Sequence, residues 1–235
     1  MSDGLIIDQL KKNQILDLLK EGKRVDGRQF DEPRKLTIDI GVIPKAEGSA
    51  RARLGDTEVV AGVKVQPERP FPDTGDKGML ICTAEILPIA HPSAETGPPQ
   101  PPVVELARVT DRGIRESGML DMKQLVLEKD KSVIGIFCDN AVTDHDGNLF
   151  DACSYASTAA INSCKIPKYE MQDEKPVKIE GEFIEPPITT LPVSVTMAKI
   201  GGFILVDPTI EEWGIMDARI TITSNSDGNV VALQK

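Results

Sequence analysis

Residues 133–164 read VIGIFCDNAVTDHDGNLFDACSYASTAAINSC, and this stretch decides the fold. The apolar, β-branched run 133–142 predicts a buried strand. It ends in the acidic loop 144–148, and a helix of small residues is predicted to follow over about 151–164. Many folds use a strand, a tight loop and a helix N-terminus to hold a phosphate group. The side chains of this loop therefore decide which chemistry is open to the protein.

Length and composition describe an ordinary globular chain. Its 235 residues are 40% hydrophobic and 27% charged, enough for one large domain or two small ones with a full core. The nine aromatic residues are few, so the core is expected to be mostly aliphatic. The net charge of −10 by itself argues against a nucleic-acid binder. Any contact with RNA would need a local basic patch or a more basic partner.

The cysteines and the N-terminus point to a cytoplasmic protein. The four cysteines are widely spaced and form no C-x-x-C motif, which favours reduced, buried thiols over disulfides or a zinc site. They are Cys82, Cys138, Cys153 and Cys164. No apolar run approaches the ~20 residues of a membrane-spanning helix. Charged residues interrupt the N-terminus, so it lacks the pattern of a signal peptide.

The order of the predicted elements indicates an α+β fold. Apolar residues at mixed three- and four-residue spacings predict an amphipathic helix over 5–20, packed either on its own domain or on a neighbouring subunit. We divide the chain into this N-terminal helix, 1–22, and one domain, 23–235. Further strands are predicted at 36–43, 48–54, 58–65, 79–87, 177–183, 192–199, 203–206, 218–223 and 230–232, with a short turn at 208–213. The chain stops at Lys235 straight after a strand, which predicts that the domain lacks its last helix.

A second helix is predicted over 103–117, after a loop with five prolines in residues 91–102. Apolar residues share one face of this helix at i, i+3, i+4, i+7 and i+11. The opposite face carries Arg108, Arg112 and Arg115. On helical geometry alone two interpretations stay open. The arginines form either a solvated face paired with neighbouring carboxylates or a surface that binds an anion.

Four motifs occur in the order in which one family has them: RVDGR at 24–28, ELARVTDRGIRESG at 105–118, DHDGNLFDACSYAS at 144–157 and VDPTIEEW at 206–213. With them the chain resembles the RNase PH family and, within it, the non-catalytic RNase PH-like subunits of archaeal exosomes. The resemblance implies a fold of two β-rich halves with packed helices. It also implies a ring of three heterodimers of two paralogues, with RNA-binding cap subunits as further partners. One paralogue degrades RNA from its 3′ end with inorganic phosphate, and the other completes the site from across the interface.

The sequence departs from the active members of that family at two places. Active members carry Asp-Gly-Gly-Thr-Arg in the central loop, and the Thr-Arg pair holds the attacking phosphate. Leu149 and Phe150 stand there instead and offer no side-chain donor to a dianion. Asp151 is expected to cap the helix and to repel an anion. Alignment of the later strand puts Thr190 where active members have the catalytic aspartate, and a hydroxyl cannot act as that acid.

The resemblance also assigns the arginine face a role. The corresponding family helix helps to bind RNA beside the active site of the partner, and Arg108 and Arg112 match those positions. Arg115 shares the face and joins the predicted RNA-binding set, although a structural pair with Asp111 or Glu116 is favoured for it. Such contacts carry no base information, so the predicted binding is independent of sequence and sensitive to salt.

Other candidate sites carry weaker signals. A set of four carboxylates and one histidine could hold Mg²⁺ or Mn²⁺, but residues of this kind at a strand end and helix start more often form turns and caps. The set is Asp139, Asp144, His145, Asp146 and Asp151. His91 is expected to be a surface histidine, and Cys153 lacks a local base. Arg51 and Arg53 are expected to serve an interface or face solvent. We therefore predict no metal, no cofactor and no catalytic residue.

Two function classes remain after the sequence has been considered. The chain is predicted to be a non-catalytic, RNA-binding subunit that organises the phosphorolytic site of a neighbour. The alternative is that it is itself a phosphate-dependent 3′–5′ exoribonuclease. A metal-dependent nuclease built on the acidic loop is a third and more distant class.

Overall fold

The structure is a computed structural model that describes residues 2–173 and 175–235, with side chains from residue 10 onwards. Its α-helices over these residues are Ser2–Lys20 (α1), Pro101–Glu116 (α2), Leu149–Asn162 (α3) and Ile210–Ile215 (α4). A 3₁₀ turn covers Met122–Leu125. The strands are Leu36–Ile40 (β1), Gly48–Leu54 (β2), Thr57–Glu68 (β3), Met79–Ile86 (β4), Val126–Glu128 (β5), Ser132–Asp144 (β6), Ile166–Gln172 (β7), Lys175–Ile184 (β8), Val193–Ile200 (β9), Phe203–Val206 (β10), Ala218–Ser224 (β11) and Val230–Gln234 (β12).

The first six strands form one sheet in the order β1-β2-β3-β6-β4, with β5 paired to the start of β6. Neighbouring strands are antiparallel except β4 and β6, which run parallel. Parallel neighbours need a long crossover connection, and here it contains the proline-rich loop and α2. Strand β2 alternates as predicted: Ala50, Ala52 and Leu54 are buried, whereas Arg51 and Arg53 lie on the other face. This period of two is what places one face of a sheet against a core.

The second sheet has the antiparallel order β10-β9-β11-β12, and β7 and β8 form a separate hairpin. Helix α3 packs against β2, β3 and β6 of the first sheet and against β9 of the second. Its small residues allow this close approach on both sides, and Ala152, Ala156 and Ala160 are fully buried. Helix α2 packs on α3, β4 and β12. The two β-rich halves with packed helices agree with the predicted α+β, RNase PH-like fold.

Several boundaries differ from the sequence prediction. Residues 208–213, predicted as a turn, are mostly helix α4, because Thr209 and Glu212 form a reciprocal capping box that starts a helix. Strand β7 was not predicted, since IPKYEMQ carries little alternation. Helix α2 begins before Val103 because both prolines at its start are compatible with the first turn.

The N-terminal helix α1 packs on its own domain. Ile15 and Leu19 are buried and form a small cluster with Ile200 and Leu205. The side chains of residues 5–9, which belong to the predicted amphipathic helix, lie outside the described part of the structure. No helix within the described residues is long and apolar enough to cross a lipid bilayer. The division at residue 22 and the missing last helix stay predictions.

Candidate functional site

The loop between β6 and α3 is built differently from the sequence prediction. Asn148, with φ 47° in the left-handed region, is the residue before the first helical turn, and the helix begins at Leu149. Asp151 therefore does not cap the helix. Its carboxylate turns toward β9, where it accepts hydrogen bonds from the Thr196 amide (2.9 Å) and hydroxyl (2.7 Å). The Asn148 side-chain amide donates to it as well, at 2.7 Å.

Burial changes the charge of this carboxyl group. Burial raises the pKa of Asp151 from 3.8 to about 7. The hydrogen bonds from Asn148 and Thr196 lower this pKa, but burial outweighs them. A carboxyl group with such a pKa is substantially protonated near neutral pH. It therefore repels an anion at the helix N-terminus less than the sequence predicted.

Asp207 is the centre of the ionic network under the loop. Arg34 donates to both of its carboxylate oxygens, at 2.8 and 2.9 Å, and Arg28 lies at 3.2 Å. Asn148 donates to it at 2.7 Å. Burial alone would raise the pKa of Asp207, but the hydrogen bonds and charge of Arg34 outweigh it and hold that pKa below its ordinary value. This aspartate is therefore ionised and ties the late VDP segment to the loop.

The same arginine fixes the backbone of the loop. Arg34 donates to the carbonyl of Asp146 at 2.7 Å, and the Thr57 hydroxyl donates to the carbonyl of Gly147 at 2.8 Å. Gly147 has φ +91°, and a Cβ atom there would stand 2.5 Å from the backbone nitrogen of Ile210. Only glycine fits so close to α4. The loop is thus held rigidly by groups that bind it internally.

The position predicted to lack its phosphate-binding arginine is filled by an aromatic stack. The ring of Phe150 lies 5.8 Å from that of Trp213 at an interplanar angle of 24°. The guanidinium of Arg219 lies over Phe150, 4.1 Å from the ring centroid, and over Trp213 at 5.3 Å. Glu105 of α2 accepts from Arg219 at 2.6 Å and from Gln234 at 2.9 Å. An arginine is present here, but its charge is already neutralised.

Sequence reasoning missed this stack. Arg219 follows Phe150 by 69 positions and comes from β11, a strand with no feature that singles it out. The single tryptophan was a usable signal, because Trp213 belongs to the quoted VDPTIEEW motif. Aromatic rings in a mostly aliphatic chain tend to pack in pairs.

The structure does not bring Thr190 to the loop. Helix α3 runs antiparallel to β9, so that Asp151 bonds to Thr196 and Ser154 contacts Ser194 at 2.9 Å. Thr190 lies before the start of β9, on the side away from the N-terminus of α3, and its hydroxyl accepts from the amide of Ser226 at 3.1 Å. This geometry argues against Thr190 as the counterpart of an acid that acts beside Phe150. Its assignment to that position rests on the sequence resemblance alone.

The three arginines predicted on one face of α2 lie there, but they differ in whether their charge is paired. Arg115 forms a bidentate ion pair with Asp111 at 3.0 Å and donates to the carbonyl of Leu80 at 2.6 Å. Glu105, another carboxylate of α2, is engaged by Arg219. Arg108 and Arg112 are exposed, and within the described residues neither has an ion pair or a hydrogen bond. Two free guanidiniums therefore stand one helical turn apart on an acidic protein.

Arg108 also lines a groove of about 420 Å³ between α2 and the edge strand β4. Asp111 and Arg115 line the same groove, together with apolar residues of both elements. The groove gives Arg108 a concave setting in which an extended chain could lie along the helix. Arg112 stands on the same exposed face, one turn further along α2.

The remaining candidates from the sequence are the acidic residues near the loop, Cys153, and the pair Arg51 and Arg53. Across residues 10–173 and 175–235, no three His, Cys, Asp or Glu residues are arranged to hold a metal ion. Cys153 is fully buried, and burial raises the pKa of its thiol well above the usual range, which makes it a poor nucleophile. All four cysteines are free and buried. Arg51 and Arg53 both pair with Glu58, across the β2–β3 turn.

Comparison with protein families supports the motifs. Residues 32–167 match the model of the 3′ exoribonuclease family, domain 1, also called RNase_PH. Residues 190–235 match the model of domain 2 of the same family. Together these matches cover most of the chain. The protein therefore belongs to the 3′ exoribonuclease, or RNase PH, family, as the motifs predicted.

Its relatives within that family are subunits of a particular assembly. The chain is 48% identical over 236 residues to "Exosome complex component Rrp42" of Thermococcus gammatolerans, covering 100% of this chain and 86% of that one. It is 45% identical to the protein of the same name from Methanopyrus kandleri, covering 98% and 86%. Two solved structures are similar as well. A chain of the Archaeoglobus fulgidus exosome with RNA bound to the active site gives a TM-score of 0.90 at 47% identity, covering 98% of this chain and 88% of that one.

The second similar structure is an archaeal exosome core. Its chain gives a TM-score of 0.86 at 44% identity and covers 100% of this chain and 87% of that chain. The fold is therefore the one that exosome core subunits have, in agreement with the resemblance seen in the sequence.

Proposed function

We propose that this protein is a non-catalytic subunit of an RNA-degrading exosome ring. In this role it binds RNA and structures the active site of a catalytic RNase PH-like partner, which performs phosphate-dependent 3′–5′ degradation. The support comes from relatives that are named exosome components and from a similar chain in an exosome structure with RNA bound. The alternative, an exoribonuclease active by itself, is not favoured by these relatives.

The observation that carries the RNA-binding part is the state of Arg108 and Arg112. Both side chains are exposed on α2, and among the described residues they have no carboxylate partner. A helical rise of 1.5 Å per residue separates them by about 6 Å along the axis. Unpaired guanidiniums at this spacing suit successive phosphate groups of a single strand. Arg115 is better explained by its ion pair with Asp111.

The absence of catalysis rests on the loop before α3. Phe150 presents no donor, and the nearby guanidinium of Arg219 is neutralised by Glu105 and covered by two aromatic rings. Phosphate binding at a helix N-terminus needs free donors that face the anion. The loop amides of Asp146 and Gly147 are already engaged, because they donate to the Thr57 hydroxyl at 3.1 Å and to His145 Nδ1 at 3.2 Å.

The remaining partners follow from the same proposal. The protein would alternate with its catalytic paralogue in a ring of three heterodimers, to which RNA-binding cap subunits attach. A cytoplasmic location goes with four free, buried cysteines. The net charge of −10 would limit RNA binding to the basic face of α2 and keep it from the rest of the surface.

Phosphorolysis tests the proposal. The purified chain is incubated with 3′-tailed RNA and inorganic phosphate, with and without EDTA, and nucleoside diphosphates are measured. We expect no product from the chain alone and degradation when the catalytic paralogue is added. Degradation by the reconstituted complex should weaken when Arg108 and Arg112 are both replaced by alanine. Lys178→Ala, which removes one exposed charge from the β7–β8 hairpin, is the control and should leave the rate unchanged.

The other outcomes are equally informative. Phosphate-dependent product from the chain alone would replace the proposal with the active exoribonuclease. Product that needs a metal ion but no phosphate would assign a nuclease to the acidic loop around Asp144 and Asp146. A reconstituted complex with full activity in the double arginine variant would remove the role given to α2.

A further inference from the structure

A second, larger cavity continues the groove that Arg108 lines. It measures about 810 Å³ and lies where the proline-rich loop 88–102 faces the end of β4. The two cavities share the wall formed by Thr83, Ala84, Pro99 and Val103. By helical rise, Val103 lies about 8 Å from Arg108 along α2. A strand bound at Arg108 can therefore enter the second cavity without leaving the surface.

Both histidines of the chain line this larger cavity, and their rings lie 5.9 Å apart. The Nδ1 atom of His145 accepts a hydrogen bond from the amide of Gly147 at 3.2 Å. The Nδ1 atom of His91 accepts from the amide of Ser93 at 3.1 Å. In the neutral ring the proton is then on Nε2, because Nδ1 is used as an acceptor. Neither Nε2 atom has a partner among the described residues.

The setting of this pair disfavours both a metal ion and a phosphate group. A protonated Nε2 has no lone pair for a metal. Burial, together with the neighbouring His91 and Arg34, lowers the pKa of His145, so its ring is neutral at pH 7. The carboxylates of Glu85 and Glu95 line the cavity as well, and they repel an anion. Ring N–H donors with carboxylate neighbours suit an uncharged ligand that presents hydrogen-bond acceptors.

The remaining walls are apolar and flat. Ile86, Pro88, Pro98 and Pro102 contribute them, and the two imidazoles add aromatic faces. Single-stranded nucleic acids are bound by stacking of bases on such surfaces together with hydrogen bonds to base edges. A cavity of this volume falls in the range of small-molecule sites.

We propose that His91 and His145 form a nucleobase-binding pocket that holds an unpaired base of the RNA strand gripped by Arg108. The Nε2–H groups donate to acceptor atoms on the edge of the base, and the proline walls stack on its face. Glu85 accepts from amino or imino groups where the base has them. This inference rests on the proposed function and adds base contacts to its phosphate contacts.

Binding of two labelled probes by the full-length protein tests the pocket. One probe is single-stranded oligouridylate of about ten nucleotides, a length typical of such sites, and the other is an abasic ribose-phosphate strand of equal length. The variants are His91→Asn and His145→Asn, because an asparagine Oδ1 can still accept the local amide hydrogen bond while the ring and Nε2–H are lost. Lys178→Ala again serves as the control. Thermal unfolding of each variant is measured alongside.

We expect each histidine variant to bind oligouridylate roughly tenfold more weakly, the loss of about one stacked base, and to bind the abasic strand as the wild type does. Arg108→Ala should weaken both probes. Histidine variants that bind oligouridylate like the wild type would overturn the pocket, while weaker binding by Arg108→Ala would leave the proposed function standing.

Equal weakening of both probes by a histidine variant would also overturn the pocket, because that result would mean that the histidine contacts a phosphate group. If the wild type binds neither probe, the pocket is overturned, while the phosphorolysis assay of the reconstituted complex decides the proposed function separately. If His145→Asn proves unstable, the His91→Asn variant alone tests the pocket. The Nδ1 atom of His91 contacts only Ser93, so this substitution disturbs the fold less.

Discussion

The guanidinium of Arg219 lies 4.1 Å from the centroid of the Phe150 ring, at the start of α3. It is neutralised by Glu105 of α2, so that one cation joins β11, α2 and α3. A cation–aromatic stack therefore stabilises the fold at the helix N-terminus where the sequence resemblance implied that a phosphate site is lost. Desolvated contacts of this kind contribute about 2 kcal/mol.

Phe150 is therefore predicted to be a stability residue. Phe150→Ala should lower the free energy of unfolding by about 3–5 kcal/mol, because the ring is only 6% exposed and packs against Trp213. Phe150→Leu keeps most of the apolar volume and should lose clearly less. Urea unfolding followed by tryptophan fluorescence measures both. Equal losses in the two variants would contradict this prediction, because they would mean that the apolar volume kept by leucine contributes nothing and that the whole effect comes from the aromatic stack.

A second prediction concerns the contribution of the buried ion pair of Arg24 and Glu212 to the free energy of unfolding. Both side chains are 0% exposed and meet at 2.6 and 2.9 Å, and Arg24 also donates to the carbonyls of Val206 and Asp207. Arg24→Ala should cost about 3–5 kcal/mol, because it leaves a carboxylate buried without its partner. Once Arg24 is absent, adding Glu212→Ala should cost little more. A denaturation cycle with both single variants and the double variant tests this, and strictly additive losses would contradict it.

The pH dependence of stability should report Asp151. Its pKa is about 7 in the folded protein and 3.8 as its ordinary value, so between these pH values the folded state binds a proton that the unfolded state has released. The contribution of this group to stability is therefore fully present below about pH 4 and is lost as pH rises toward 7, on the order of 1 kcal/mol per pH unit. Asp151→Asn should flatten this part of the curve.

Urea unfolding at a series of pH values checks that expectation. Asp31→Asn, an exposed aspartate outside the network, is the matched control and should leave the slope unchanged. An Asp151→Asn curve parallel to that of the wild type would mean that Asp151 is ionised throughout the range. Ionised Asp207 acts in the opposite sense, since its pKa is lowered, and its contribution is lost only at more acidic pH.

Arg108 and Arg112 should control the salt dependence of RNA binding. Each alanine variant is expected to reduce the slope of log affinity against log salt concentration by about 1, because one phosphate contact is lost. The loss should be similar for RNAs of different sequence. Fluorescence anisotropy over a range of salt concentrations measures the slope. A variant with lower affinity but an unchanged slope would contradict a phosphate contact.

Arg115 should behave differently from its neighbours on α2. Its guanidinium is held by Asp111 and by the carbonyl of Leu80, so Arg115→Ala should leave the salt slope near that of the wild type. The exposed i,i+4 pair itself is worth only about 0.3–0.5 kcal/mol. A double-mutant cycle with Asp111→Ala measures that coupling. A slope reduced by about 1 would return Arg115 to the RNA-binding set predicted from sequence.

The sequence predicted those parts of the fold that depend on local periodicity. The alternation of Ala50, Ala52 and Leu54 defined β2, and the apolar run after Ser132 defined β6. Helix α4 was missed because its evidence is a capping box of only two residues, Thr209 and Glu212. Short helices are stabilised by what they pack against, here α1 and β9, and no local pattern reports that.

The sequence by itself determined the family, the elements and the arginine face of α2. These follow from spacing along one segment, which helix and strand geometry convert directly into a face. Only the tertiary structure decided the state of each charge. It neutralised Arg115 and Arg219, left Arg108 and Arg112 free, and raised the pKa of Asp151 by burial. The physical reason is that charge state depends on partners and solvent access, which come from residues far away in the chain.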